Sequence, residues 1–260
     1  LTNRPDVGLS RWQQLIDYSG MERIADYALL SNCQASGLVS RSGSIDWACL
    51  PAFDSPALFS RILGEPGGFW SIRPTQPVES TRAYVEDTMV LRTEMRTSTG
   101  VVTLTDFLPL HPDDMHNDIG RRSPAAVHRI VEGVDGEVDV DIEIAVRPEY
   151  GLTTPLLHEA EPGVWATRGG PITVTIITDV TLQPMDGVLT GRMTVRAGDR
   201  AGFALCVSDP WHDPRPMAVD VFQSLADTIA GWQSWAEKLI GYEGEHRDLL
   251  RRSAVVLRAL

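Results

Sequence analysis

The clearest pattern in the chain is VDVDIEIAV, residues 138–146. Val138, Val140, Ile142, Ile144 and Val146 point one way, and Asp139, Asp141 and Glu143 point the other. A period of two with one wet face predicts a strand in an antiparallel sheet. TMVLRTEMRTS (88–98) and VVTLTDFLPL (101–110) flank a Thr-Gly turn and predict a hairpin. PITVTIITDV, GVLTGRMTVRAG and AGFALCVSD add three strands, punctuated by Gly, Pro and Asp. Shorter segments near Tyr27, Trp47 and Trp70 bring the count to about a dozen between residues 24 and 210. That is too many for one flat sheet, and it predicts a large antiparallel β-sandwich.

The period changes in the last fifty residues. DVFQSLADTIAGWQSWAEKLI sets Phe222, Leu225, Ile229, Trp232, Trp235 and Leu239 on one helical stripe. Asp220 followed by Gln223 resembles a capping box. GYEGE breaks this helix, and RRSAVVLRAL starts another. In it Ser253, Val256 and Leu260 share one spacing and Leu250, Ala254 and Leu257 another, with Asp248 and Arg252 spaced for an i,i+4 ion pair. No Gly, Asn or Pro closes that helix, so its apolar stripe is expected to need a neighbour.

Composition narrows the function classes. The 35 acidic and 23 basic residues give a formal charge of −12, with no basic stripe for phosphates, which argues against nucleic acid. Cys33, Cys49 and Cys206 are widely spaced, with no CxxC, and fit reduced thiols of a cytoplasmic protein. No stretch approaches the ~18 apolar residues of a membrane span. The opening residues lack the basic-then-apolar layout of a signal peptide. Oligomer formation is left open.

The densest chemistry lies in SIDWACLPAFDSPALFSRIL, residues 44–63. Asp46 and Asp54 bracket Trp47 and Phe53. One reading is a sugar subsite, with aromatic faces under pyranose rings and carboxylates on hydroxyls. The other is structural: Asp54-Ser55-Pro56 caps a short helix ALFSRIL, and Trp47 fills the core. HPDDMH (111–116) carries two imidazoles and two carboxylates, but its spacing matches no zinc motif and a solvated loop is expected. SDPWHDPRP (208–216), with Asp209, Trp211, His212 and Asp213, reads as a connector. GxSxG, GxGxxG, HExxH and a P-loop are absent.

IADYALLSN (Ile24 to Asn32), GSIDWACLPAFDSPALF (Gly43 to Phe59) and GGFWSIRP (Gly67 to Pro74) together carry a resemblance. They are similar to the opening of bacterial glycoside hydrolase family 15 enzymes, the glucoamylase and trehalase-like group. WQSWAEKLIGYEGEHRDLLRRSAVVLRAL resembles that family's linker helix and first barrel helix. The family usually has Arg where Ala52 stands and often Ser where Ala57 stands, so the loop lacks a guanidinium that would hold sugar hydroxyls or brace the barrel through a carboxylate.

The resemblance implies a β super-sandwich followed by a helical linker and the start of an all-α (α/α)6 barrel. Expected boundaries are an N-terminal extension at 1–23, the sandwich at 24–214, the linker at 215–243 and a first barrel helix at 244–260. Both catalytic acids of such an inverting α-glucosidase would follow residue 260. The chain is then expected to be a supporting domain, inactive alone, whose partners are its own barrel and a glucoside. Trehalose is the first expected substrate and α-1,4 oligosaccharides the second. Phosphate and magnesium, on which some trehalases of this branch depend, are implied for the parent only, and no metal ligand is assigned here. Asp46, Trp47, Phe53 and Asp54 are rim candidates; Phe222, Leu225, Ile229, Trp232, Trp235 and Leu239 are candidates for docking on the barrel.

Three rival classes follow from the residues. A free carbohydrate-binding module needs exposed coplanar aromatics. A mutarotase-type epimerase needs a His acid facing a carboxylate base, and His111, His128, His158 and His212 are its candidates. An interaction domain needs some other partner.

Overall fold

The computed structural model describes residues 22–209, 219–239 and 243–260. The first nine strands are β1 (Ala28–Ser31), β2 (Ser36–Val39), β3 (Ser44–Cys49), β4 (Ala57–Phe59), β5 (Phe69–Pro74), β6 (Glu79–Tyr84), β7 (Leu91–Arg96), β8 (Gly100–Phe107) and β9 (Ala126–Ala145). Then come β10 (Leu156–Glu161), β11 (Val164–Arg168), β12 (Thr173–Thr178), β13 (Gln183–Met185), β14 (Val188–Arg196) and β15 (Arg200–Ser208). Two helices follow, α1 (Val221–Ala236) and α2 (Arg247–Ala259).

All pairings are antiparallel, and the twenty-residue β9 belongs to two sheets. Its first half pairs with β8 and β15, in a sheet ordered β6-β7-β8-β9-β15-β12-β11-β10. Its second half pairs with β5 and β14, in a sheet that runs from β13 and β14 through β5 and β3 to β2 and β1. Side chains of both sheets share one core, including Ile45, Ile72 and Ile142 from one and Leu104, Val131 and Phe203 from the other. The Trp70 and Phe203 rings meet edge-on at 6.4 Å across that core.

The predicted alternation at 138–146 is present: all five aliphatic residues are buried and Asp139 is exposed. Upstream, AVHRIV (126–131) is buried on both faces because α1 covers the outside of the sheet there. His128 lies on this α1 side, edge-on to Phe107, and its Nδ1 is buried without a partner. Burial pushes this imidazole down to about 4 from an ordinary 6.5. The unfolded chain therefore takes up the proton first, so stability is complete above about pH 6.5 and falls as pH drops toward 4. The loss expected from this one group is on the order of 3 kcal/mol. Urea titrations at pH 7 and pH 4.5 check it: His128→Phe should flatten the pH dependence, and an equally steep one would contradict the assignment.

The sandwich is stitched by one charged residue. Arg129, fully buried on β9, donates to the Asp106 carboxylate at 2.7 Å within its own sheet. It also donates to the Trp70 and Gly43 carbonyls of the opposite sheet at 2.6 and 2.7 Å. Gly43 has φ +84, and a Cβ there would lie 2.4 Å from the Ile72 carbonyl, so glycine permits the approach.

α1 starts at Asp220, whose side chain accepts from the backbone N–H of Phe222 and Gln223. Gln223 reaches forward to Asp227 rather than back, so the box is half formed. Val221, Leu225 and Ile229 pack on the outer face of the sheet, against Phe107, Ile130 and Ala204. Thr228, Gly231 and Ser234 form a small-residue strip that admits the 108–118 loop: Thr228 accepts from Leu110 N, and Ser234 accepts from His116 N. Trp232 and Trp235 join Met89, Leu110 and Ile119 in a cluster that also takes Val255 and Ala259 of α2.

α2 is fixed by arginines. Arg251 pairs with Asp87, Arg252 donates to the Thr88 carbonyl and lies 3.5 Å over the Tyr84 ring, and Arg258 donates to the Ile119 carbonyl. Ser31 donates to the Ala259 carbonyl at 2.6 Å. Arg252 is thus engaged with the sandwich, and the expected Asp248–Arg252 pair is replaced by these longer-range contacts. The opposite side of α2 carries Leu249, Leu250, Leu257 and Leu260, which are 67, 48, 75 and 64% exposed.

Three expectations need correction. ALFSRIL is not a helix: Ala57–Phe59 is strand β4, paired with the end of β3, and only Arg61–Leu63 forms a short 3-10 turn. Its apolar run is short enough to serve either period, and pairing with β3 decides it. The stripe assigned to a barrel interface is spent on the chain itself: Leu225, Ile229, Trp232 and Trp235 pack on the sandwich and α2, while Phe222 sits beneath Arg200 at 4.4 Å and Leu239 is half-buried. HPDDMH is neither metal site nor simply solvated, since Asp114 is fully buried, accepts from Arg122, and the loop anchors α1. Trp211, His212 and Asp213 lie outside the described residues, as does most of the N-terminal extension.

Candidate functional site

β3 sends two of the four rim candidates, Asp46 and Trp47, to opposite faces, and the other two, Phe53 and Asp54, lie on the loop that follows it. Asp46 points into the protein and is 5% exposed. It accepts from Tyr27 Oη at 2.8 Å, Ser44 Oγ at 2.6 Å and Arg61 Nε at 3.0 Å. Arg61 is itself stacked on Phe69, 3.8 Å from the ring centre. Burial, and then the Asp46 carboxylate, push the Tyr27 phenol well above its ordinary range, so it remains a donor. Asp46 is therefore a fixed brace between Tyr27, just ahead of β1, its own strand β3 and the 61–63 turn, with its lone pairs engaged by protein.

Trp47, one residue on, faces the other way. It is half-buried and neither fills the core nor stands free. Its ring meets Tyr150 at 6.1 Å between centres and 47° between planes. Tyr150 is 50% exposed. Phe53, 36% exposed, and the exposed Asp54 sit on the loop between β3 and β4. That loop is closed by Ser55, whose Oγ accepts from Ala52 N and whose N donates to the Ala52 carbonyl.

Tyr150 was not legible from sequence. It belongs to a left-handed turn in which Glu149, Tyr150 and Gly151 have φ of +56, +59 and +90. Two consecutive non-glycine residues in this region cost about 1–3 kcal/mol each. The turn is held by Tyr150 N to the Ala57 carbonyl at 3.1 Å, Gly151 N to the Arg147 carbonyl at 3.2 Å and Thr153 Oγ1 to Glu149 at 3.2 Å. The bond to Ala57 ties it to the end of the Phe53–Asp54 loop. The one cue in the sequence was the aromatic in EYG, directly after the β9 pattern.

Acid–base chemistry finds little support here. The three carboxylates buried among the described residues, Asp46, Asp106 and Asp114, are each bound to an arginine: Arg61, Arg129 and Arg122. His128 is buried edge-on to Phe107, and its Nδ1 has no hydrogen-bond partner. Among the described residues no three His, Cys, Asp or Glu side chains gather to hold a metal ion, and no helix is long and apolar enough to cross a membrane. The 47° tilt of Trp47 and Tyr150 also departs from the coplanar shelf of a free carbohydrate-binding module.

Fold and site together define a class: a two-layer antiparallel β domain that carries two docked helices and a part-exposed Trp47–Tyr150 ring pair, with its buried acids paired to arginine. Comparison with known proteins narrows this. The profile of the trehalase-like N-terminal family matches residues 11–175, and the chain belongs to that family. Trehalase of Thermoplasma volcanium is 28% identical over 264 residues, covering 100% of this chain and 41% of its own length. Trehalase of Mycolicibacterium smegmatis is 28% identical over 260 residues, covering 91% of this chain and 38% of its own length. Trehalase 2 of Sulfolobus acidocaldarius is 34% identical over 140 residues, covering 54% of this chain and 21% of its own. The chain thus spans about two-fifths of the first two relatives.

Proposed function

We propose that this chain is the non-catalytic N-terminal part of a trehalase-type inverting α-glucoside hydrolase, working with an (α/α)6 barrel that follows residue 260. Trehalose is the first substrate of this reading and α-1,4 glucosides the second. The observation that carries it is α2. One side is clamped to the sandwich by Arg251, Arg252 and Arg258, and the other presents four exposed leucines, Leu249 and Leu250 at one end and Leu257 and Leu260 at the other. An apolar stripe on a helix fixed this firmly is the geometry of a face awaiting a second helical layer. The greater length of the trehalase relatives supplies a source for that layer.

In this division of labour the sandwich does not carry the reaction. Inverting hydrolysis uses two carboxyl groups about 6.5–9.5 Å apart, one to protonate the leaving oxygen and one to activate water. Acids committed to Arg61, Arg129 and Arg122 are poorly suited to either task. The sandwich instead seats α2.

The test compares two lengths of the protein. In a chain continued to the length of its relatives, Leu250→Asp with Leu257→Asp should cut trehalose hydrolysis at least about tenfold, because about 1.4 kcal/mol of lost docking suffices. In the 260-residue chain the same pair should leave the melting temperature unchanged. Unaltered hydrolysis in the longer chain would contradict the assignment of this face.

A further inference from the structure

We propose that the turn carrying Tyr150, together with Leu152, Leu156 and Met185, is a second docking surface for the helical layer that follows residue 260. That layer then caps one whole end of the sandwich and does not rest on α2 alone. The identity of the layer rests on the hydrolase reading above; the surface rests on geometry. The turn is strained, since Glu149 and Tyr150 both hold left-handed backbone. It is also held from three sides. Tyr150 N donates to the Ala57 carbonyl, Arg147 donates to the Gly187 carbonyl at 2.9 Å, and a Cβ at Gly151 would lie 3.1 Å from the Pro66 carbonyl oxygen. What this frame holds out is apolar. Leu152 and Leu156 are 85 and 75% exposed, and Met185, two residues before Gly187, is exposed as well. No residue from Tyr150 to Leu157 is charged, although 22% of the chain is. Leucines held in water on a braced, uncharged turn mark an interaction surface.

The place of the turn indicates its occupant. Arg129, near the start of β9, donates to the carbonyl of Trp70, and Trp70 pairs with Ile144, near the end of β9. The strand therefore doubles back, and both of its ends lie at the same end of the sandwich. The segments that seat α2, around Asp87 and Ile119, adjoin β7 and β8 where Leu91 and Phe107 lie level with the start of β9. The Tyr150 turn leaves from the end of β9. The exposed leucines of α2 and those of the turn thus share one end. One helical layer reaches both, and the trehalases, of which this chain covers 41 and 38%, have the length to supply it. A second copy is the poorer occupant, because each copy carries a formal charge of −12.

Hydroxyl-radical footprinting reads side-chain exposure, and it is run on the 260-residue chain and on a chain continued to the length of its relatives. Oxidation of Tyr150, Leu152 and Met185 should fall in the longer chain to the level of Trp70 and Phe203, which are fully buried in the core. Leu249 and Leu257 report the α2 face in the same sample. Protected α2 leucines beside a Tyr150 turn oxidised as in the shorter chain would overturn the proposal and leave the hydrolase reading standing. Protection at neither place would remove both. Protection of the turn that grows with the concentration of the 260-residue chain would give the surface to a second copy and overturn the proposal too.

Discussion

Replacing Arg129 by Ala should unfold the sandwich more readily than any substitution on its surface, by about 3–5 kcal/mol. Three acceptors lose their donor at once. Asp106 is fully buried, its Oδ2 already has no partner, and its Oδ1 depends on Arg129 at 2.7 Å. Burial pushes the Asp106 carboxyl upward and the guanidinium opposes this; without Arg129 the acid must take a proton or carry a charge in an apolar core. The Trp70 and Gly43 carbonyls lose the hydrogen bonds that join one sheet to the other. Chemical denaturation of Arg129→Ala, Asp106→Ala and the double variant measures the coupling. The double variant should fall well short of the sum of the singles, because the stranded charge is removed with its partner. A loss below about 1 kcal/mol for Arg129→Ala would show that the pair is dispensable.

Trp232→Ala is expected to come next, at about 3–5 kcal/mol. Trp232 is fully buried where α1, α2 and the sandwich loops converge, against Met89, Leu110, Ile119, Val255 and Ala259. Its indole N–H is unpartnered, so all of its contribution is packing. The cavity opens beneath α2, whose buried contacts are few beyond Val255 and Ala259. Hydrogen exchange should therefore show amides of 247–259 losing protection first, with β9 still protected. Uniform loss across sandwich and helix would mean that α2 and the sheets unfold as one unit.

The parts legible in the sequence were those with one wet face. β9 beyond Val138, β7 and α1 each alternate in the way that their solvent exposure requires, and β8, though buried on both faces, was legible from the turn that joins it to β7. Legibility failed where tertiary contact overrides local pattern. β4 was hidden because three apolar residues after Asp-Ser-Pro carry a helix cue, and only pairing with β3 makes them a strand. α2 was phased wrongly: Val255 and Ala259 face inward because Arg251, Arg252 and Arg258 find Asp87, Thr88 and Ile119, partners more than a hundred residues away. The site shows the same division. Trp47, Phe53 and Asp54 were visible as an unusual cluster, and the alternation of β3 sends Asp46 to the opposite face from Trp47. Tyr150 could not be paired with them from one sequence, since the contact depends on a left-handed turn linked to Ala57.

In the proposed reading, this domain supports a glucoside-splitting enzyme without breaking the bond itself. Glucose release from trehalose by the purified 260-residue chain, set beside a chain extended to the length of its relatives, addresses this most directly. The account predicts release by the extended chain and none by the shorter one. Turnover by the 260-residue chain that disappears on substituting one of its own carboxylates would contradict it.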